Sequence, residues 1–270
     1  MRAPGGRERL SMEKRKDSSP VPGGPVANVK QQISTNPRVR WSMLSIIAAA
    51  LVLMTLSRNS LWKDDVSLYE DAAKKSGNKA RVYAGLGKAY TIAKRYADTV
   101  NAVSHALMLD PDDAVAYTTR GVAFHLTGQP LQALKDYSEA IRRDAQYTKA
   151  YVNRGIALGQ SGRLDLAIAD FDAAIARDRT CLLAYANRAV AFRAKKAFDQ
   201  AIADNNAVIA LDPDHADAYL ERGGIYLVTG KRDQAANDFK KACDLGSAAG
   251  CAAYALPPAA GDPLQERDRN

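Results

Sequence analysis

The sequence predicts an all-α protein, in which one apolar N-terminal helix precedes an α-solenoid of helical hairpins. Three observations carry this reading. The chain resembles itself every 34 residues over most of its length, a 17-residue uncharged run precedes the repeats, and only 7% of an alanine-rich chain is aromatic. Small side chains suit close-packed helices, whereas sheets favour β-branched and aromatic residues.

Residues 1–40 are rich in Gly, Pro, Ser and basic side chains and show almost no apolar periodicity. Such a segment buries too little apolar surface to offset the entropy of ordering it, so a disordered basic tail is expected. The run WSMLSIIAAALVLMTLS, residues 41–57, follows. A helix of that length spans about 25 Å, at the short edge of a bilayer core. Trp41 and Trp62 stand where interfacial aromatics are favoured. The run reads as a single-pass transmembrane signal anchor, the alternatives being a cleaved signal peptide or a buried core helix. Nine Lys/Arg precede it and only Arg58 and Lys63 follow closely. The positive-inside rule then leaves the N-terminus cytoplasmic and carries the rest of the chain to the extracytoplasmic, periplasmic side.

The formal charge of +8 is unevenly placed. Residues 1–58 hold ten Lys/Arg and three Asp/Glu, so the remaining residues are nearly neutral. A nucleic-acid-binding domain would carry the charge on its own surface, which argues against that function.

Five consecutive blocks align without insertion: 80–113, 114–147, 148–181, 182–215 and 216–249. Position 4 of the block reads Tyr83, Tyr117, Tyr151, Tyr185, Tyr219, and position 8 reads Gly87, Gly121, Gly155, Ala189, Gly223. Position 11 is Tyr90, Phe124, Leu158, Phe192, Tyr226, while positions 20 and 27 are almost all alanine. Positions 4, 8 and 11 share one face of a first helix, and 20, 24 and 27 share one face of a second. Small residues at 8, 20 and 27 let the two helices approach. Gly128, Gly162, Lys196 and Gly230 mark the turn between them, and Pro130 stands at a helix start, where proline is tolerated. One hairpin cannot bury its apolar face alone, so neighbours must stack. The tyrosine row is accordingly core. Residues 61–77 fit the same register as a lone second helix capping the stack. Residues 250–270 are left as a short cap and a second tail.

This pattern resembles the tetratricopeptide repeat, whose W-x2-L-G-x2-Y…A-x3-F…P signature has the same period. The resemblance implies a right-handed superhelix whose first helices line a concave groove that docks proteins or peptides. At the groove-facing positions it points to Arg81, Lys88, Thr118, Thr119, Lys149, Asn153, Asn187, Arg193 and Glu221; an ordinary solvated face is the alternative for each. Asn153 and Asn187, both at position 6, could bond a peptide backbone. Position 5 carries Ala84, Thr118, Val152, Ala186 and Leu220, so the family's carboxylate clamp, with its lysine there, is missing.

Position 7 is Leu86 in the first block and Arg120, Arg154, Arg188 and Arg222 in the others. Position 23 is Ala102 and then Asp136, Asp170, Asp204 and Asp238. The two positions change together, which suggests a pair across the hairpin or to its neighbour. The alternative is a row of arginines reaching for an acidic ligand. The fourth block departs most, with Ala189, Asn205 and Val208, and reads either as a repacked hairpin or as a loosened joint.

The phrase from Ala242 to Cys251 resembles the ends of Sel1-like helical repeats. That resemblance implies a disulfide between Cys243 and Cys251, against the alternative of two small buried thiols. Cys181 is left over, and no pair has zinc-ligand spacing. His105, His125 and His215 occupy unrelated block positions, and no nucleophile elbow, P-loop or HExxH motif is present. The Asp110–Asp113 run lacks the glycine and glutamate of a calcium loop. No catalytic activity, cofactor, metal or small-molecule substrate is expected.

The functional expectation is a membrane-anchored scaffold binding protein clients. Residues 58–70 also resemble the junction between membrane and repeat parts in protein glycosyltransferases. That suggests, as the alternative, an accessory subunit of an envelope system for glycosylation or cell-wall synthesis.

Overall fold

The structure is a computed structural model and describes residues 37–61 and 64–255. The expected disordered stretches before residue 37 and after residue 255 lie outside the described residues. The chain divides into two compact units, residues 1–61 and 62–270.

The first unit contains α1 (Pro37–Leu61), which extends past the uncharged run at both ends. Large apolar side chains stand exposed around it, Trp41 at 70%, Ile46 at 68% and Leu53 at 66%. Its hydroxyls turn inward onto the helix. Ser42 donates to the Arg38 carbonyl at 2.9 Å, Ser45 to Trp41 at 2.8 Å and Thr55 to Leu51 at 2.8 Å. No helix among the described residues is long and apolar enough to cross a membrane.

The second unit is entirely helical among the described residues. It opens with α2 (Asp65–Ser76), where Asp64 accepts from the Ser67 amide at 2.7 Å in a capping box. Five hairpins follow: α3 (Ala80–Ile92) with α4 (Tyr96–Leu109), α5 (Ala114–Leu126) with α6 (Pro130–Arg143), α7 (Thr148–Gln160) with α8 (Leu164–Arg177), α9 (Leu182–Ala194) with α10 (Phe198–Leu211), and α11 (Ala216–Val228) with α12 (Arg232–Asp244). A short α13 (Ala248–Tyr254) closes the unit. Each second helix packs on its own first helix and on the next one, so the core runs the length of the stack.

Close approach fixes the small residues. A Cβ on Gly155 would stand 2.7 Å from the Phe171 ring, and one on Gly121 would stand 2.6 Å from Tyr137. In the fourth hairpin the aromatic is gone. Asn205 donates to the Ala201 carbonyl at 3.0 Å in a buried site, and Ala189 fits at 2% exposure. That hairpin is repacked, glycine-with-aromatic having become alanine-with-asparagine.

The turns inside the hairpins share one geometry. The position-15 residue has positive φ whether it is glycine (Gly128, Gly162, Gly230) or lysine (Lys94 at 58°, Lys196 at 61°). The following amide donates back five residues, as Arg163 does to Leu158 at 2.9 Å and Ala197 to Phe192 at 2.9 Å. Helix C-termini close this way around a left-handed residue.

Each position-7 arginine forms a two-pronged pair with the aspartate of its own hairpin: Arg120 with Asp136 (2.8 and 2.8 Å), Arg154 with Asp170 (2.8 and 2.7 Å), Arg188 with Asp204 (2.9 and 2.7 Å) and Arg222 with Asp238 (2.8 and 2.7 Å). The aspartates are buried. The remaining guanidinium nitrogen reaches position 25 of the preceding second helix: Ser104 at 3.0 Å, Ser138 at 3.1 Å, then Asp172 and Asn206. One side chain thus joins three helices, two of its own hairpin and one of its neighbour. The bond to the aspartate holds each of these guanidiniums above its ordinary pKa, against the opposing effect of burial. All four arginines are therefore taken up inside the stack.

Candidate protein-binding surface

First helices of successive hairpins touch one another along the stack, α3 on α5, α5 on α7, α7 on α9 and α9 on α11. Second helices do not come together in that way, so the first helices form the inner row. Their face away from the second helices is the candidate surface.

Sequence reasoning named nine side chains for it. Arg81, Lys88 and Lys149 are exposed, while Asn153 and Asn187 are half-buried. The Asn187 amide donates to the Leu183 carbonyl at 2.8 Å, which leaves its oxygen as the acceptor for a ligand. Thr119 donates to the Val115 carbonyl at 2.8 Å. Arg193 and Glu221 form an ion pair at 2.9 Å between α9 and α11, so two expected ligand contacts meet each other. Thr118 departs from expectation. It is 5% exposed and its hydroxyl donates to the Ala114 carbonyl at 3.0 Å, inside the packing. Position 5 is buried in the first three hairpins, as Ala84, Thr118 and Val152, and half-buried in the last two; Val152 belongs to one core cluster with Ala184 of the next hairpin.

Sequence reasoning missed the apolar part of the surface. Leu126 is 54% exposed, Leu183 60% and Val190 45%. Position 9 reads Val122, Ile156 and Val190 in the three middle hairpins, and all three keep some exposure. The signal was present as aliphatic residues at a position the core covers only in part, Val122 and Ile156 packing at its edge. Against the neighbouring core stripe it was hard to separate, since both are apolar at helical spacing.

At the C-terminal end Cys243 of α12 and Cys251 of α13 are joined, with Cα atoms 4.4 Å apart. Cys181 is a free thiol at the start of α9.

A profile of the tetratricopeptide repeat matches residues 118–180, 152–214 and 193–250. No curated protein matches the chain in sequence at a significant level. Among solved structures it is similar to YrrB, described as a tetratricopeptide-repeat protein with an unusual peptide-binding site, at 20% identity and a TM-score of 0.57, over 70% of this chain and 98% of that one. It is also similar to MamA at 24% identity and a TM-score of 0.55, over 59% of this chain and 94% of that one. PilF of Pseudomonas aeruginosa is similar at 19% identity and a TM-score of 0.59, over 62% of this chain and 77% of that one. At these identities the likeness concerns the fold. The repeat profile covers residues 118–250, and the second unit shares the helical-solenoid fold of these structures.

Proposed function

We propose that this tetratricopeptide-repeat solenoid is a scaffold that holds a protein or peptide client against the inner row of first helices, forming a right-handed superhelix that is tethered to a membrane by α1. The single observation that carries the client-binding reading is the exposed aliphatic face of that row, Leu126, Leu183 and Val190, lying beside the amides of Asn153 and Asn187. Aliphatic surface gains from being covered, and amides supply partners for a backbone that covers it.

The tether rests on the surface of α1. Residues 41–57 of α1 carry no charge and expose their apolar side chains. Even where the helix does not cross a bilayer, such a surface gains from a core or a lipid phase around it. Its inward-closed hydroxyls suit the latter, where unsatisfied donors are costly. An extracytoplasmic location for the repeats is supported by the Cys243–Cys251 bridge, since disulfides persist in oxidising compartments.

Replacing Asn153 and Asn187 together with alanine should weaken client binding at least tenfold while the helical content and melting of the domain stay unchanged. Unchanged affinity in a folded variant would remove the inner row as the site. Alkaline extraction followed by protease treatment of a C-terminal tag tests the tether. Release from membranes at high pH would exclude it, and protection of the tag in osmotically opened cells would place the repeats in the cytoplasm.

A further inference from the structure

The inner row is polarised along its length, and this specifies the client further than the fold does. On the first three hairpins the inward positions 2, 6, 9, 12 and 13 hold Arg81, Lys88 and Lys149 and no carboxylate. All three cations are exposed. Carboxylates enter only on the fifth hairpin, as Asp217 and Glu221, and Glu221 is tied to Arg193 at 2.9 Å. Position 9 carries Lys88 on the first hairpin and aliphatic residues on the next three, Val122, Ile156 and Val190.

We infer that the site takes an extended peptide whose acidic segment lies over Arg81 and Lys88 of the first hairpin and whose aliphatic segment lies over Val122, Ile156 and Val190 of the next three. This rests on the reading of the inner row as the binding surface and adds the chemistry and direction of its occupant. The reasoning is complementarity of charge. Exposed cations that form no ion pair among the described residues attract an acidic segment within a Debye length of about 10 Å, and they repel a basic one. The aliphatic stretch cannot read charge. It contributes by losing water, as an apolar side chain does on any covered surface. The charged end therefore decides which peptide binds, and the apolar centre decides whether any peptide binds.

The test uses the full chain in mild detergent and two labelled synthetic peptides with the same Leu/Val-rich core. One carries an Asp/Glu block at one end, and the other carries a Lys block in the same place. Anisotropy titration should show the acidic peptide binding about tenfold tighter at low ionic strength, with the gap closing as salt is raised. The variant R81E/K88E should abolish or invert the preference, while K135E, on the exposed outer side of α6, should leave it intact. The variant V190S should weaken both peptides alike. Equal affinity for the two peptides, or a preference that R81E/K88E does not move, overturns the inference. If V190S then still weakens both, the inner row stands as a site without charge selectivity. If neither peptide binds, or V190S changes nothing, the occupant and the site both fall.

Discussion

At positions 7 and 23 the first hairpin carries Leu86 and Ala102, where each of the next four carries an arginine and an aspartate in bidentate contact. What lies on the N-terminal side of each hairpin accounts for the difference. The four arginines reach back to position 25 of a complete preceding repeat. Within its own unit the first hairpin is preceded by α2, a single helix and not a complete repeat. There Leu86, Tyr90 and Ala102 pack against Val66, Tyr69 and Ala73. The α2 carboxylate at position 25, Glu70, accepts instead from the Tyr90 hydroxyl at 2.8 Å. Burial, with that hydrogen bond, pushes the Tyr90 hydroxyl up to about 12. An apolar contact suffices where a helix is only being capped. A directional pair sets the stagger where one repeat must register on another, the role for which buried ionic pairs are best attested.

Removing one member of a pair should cost most. Asp170→Ala leaves Arg154, half-buried, without its carboxylate, and about 3 kcal/mol of stability should be lost in urea unfolding. Copying the first hairpin into the third, as Arg154→Leu with Asp170→Ala, should recover much of that loss. A double variant as unstable as the single one would mean that the apolar solution works only beside α2.

The two ends of the stack differ as well. The cap α2 spans 12 residues and has an apolar face, while α13 spans only 7 and is bolted on by the Cys243–Cys251 bridge eight residues long. Reducing that bridge should cost about 2.5 kcal/mol from loop-closure entropy. The loss should fall on the last hairpin, read as faster amide exchange in α12 and α13 with α3 and α4 unchanged.

Gly155→Ala should cost about 2 kcal/mol, because the added carbon meets the Phe171 ring. Adding Phe171→Asn copies the fourth hairpin and should relieve part of the strain. The smallest effect has the opposite sign. Lys196→Gly should raise stability by about 1 kcal/mol, since lysine holds a left-handed conformation there without benefit from its Cβ. A lower melting temperature for that variant would mean that the lysine side chain makes up for its backbone.

The hairpins were legible because their core positions repeat with small, unmistakable residues; Gly121 and Gly155 report a packed ring opposite. The Arg–Asp partners were legible because both change together in the first block. The third arm of each arginine was not, since position 25 is Ser, Ser, Asp and Asn, a row that looks like solvated surface until the helices are placed. Thr118 misled for the converse reason. Position 5 looks outward on one hairpin, yet it is buried in the first three and half-buried in the last two. The aliphatic inner face was hidden among core residues of the same type.

The central claim is that clients meet the first helices and not the second. A photo-crosslinking side chain at Val190, exposed on α9, and one at Ala203, exposed on α10, test it in cells expressing the full chain. The account predicts a discrete adduct from position 190 and none from position 203, with the position-190 adduct lost in the Asn153→Ala, Asn187→Ala background. Adducts from position 203 alone, or equally from both, would contradict it.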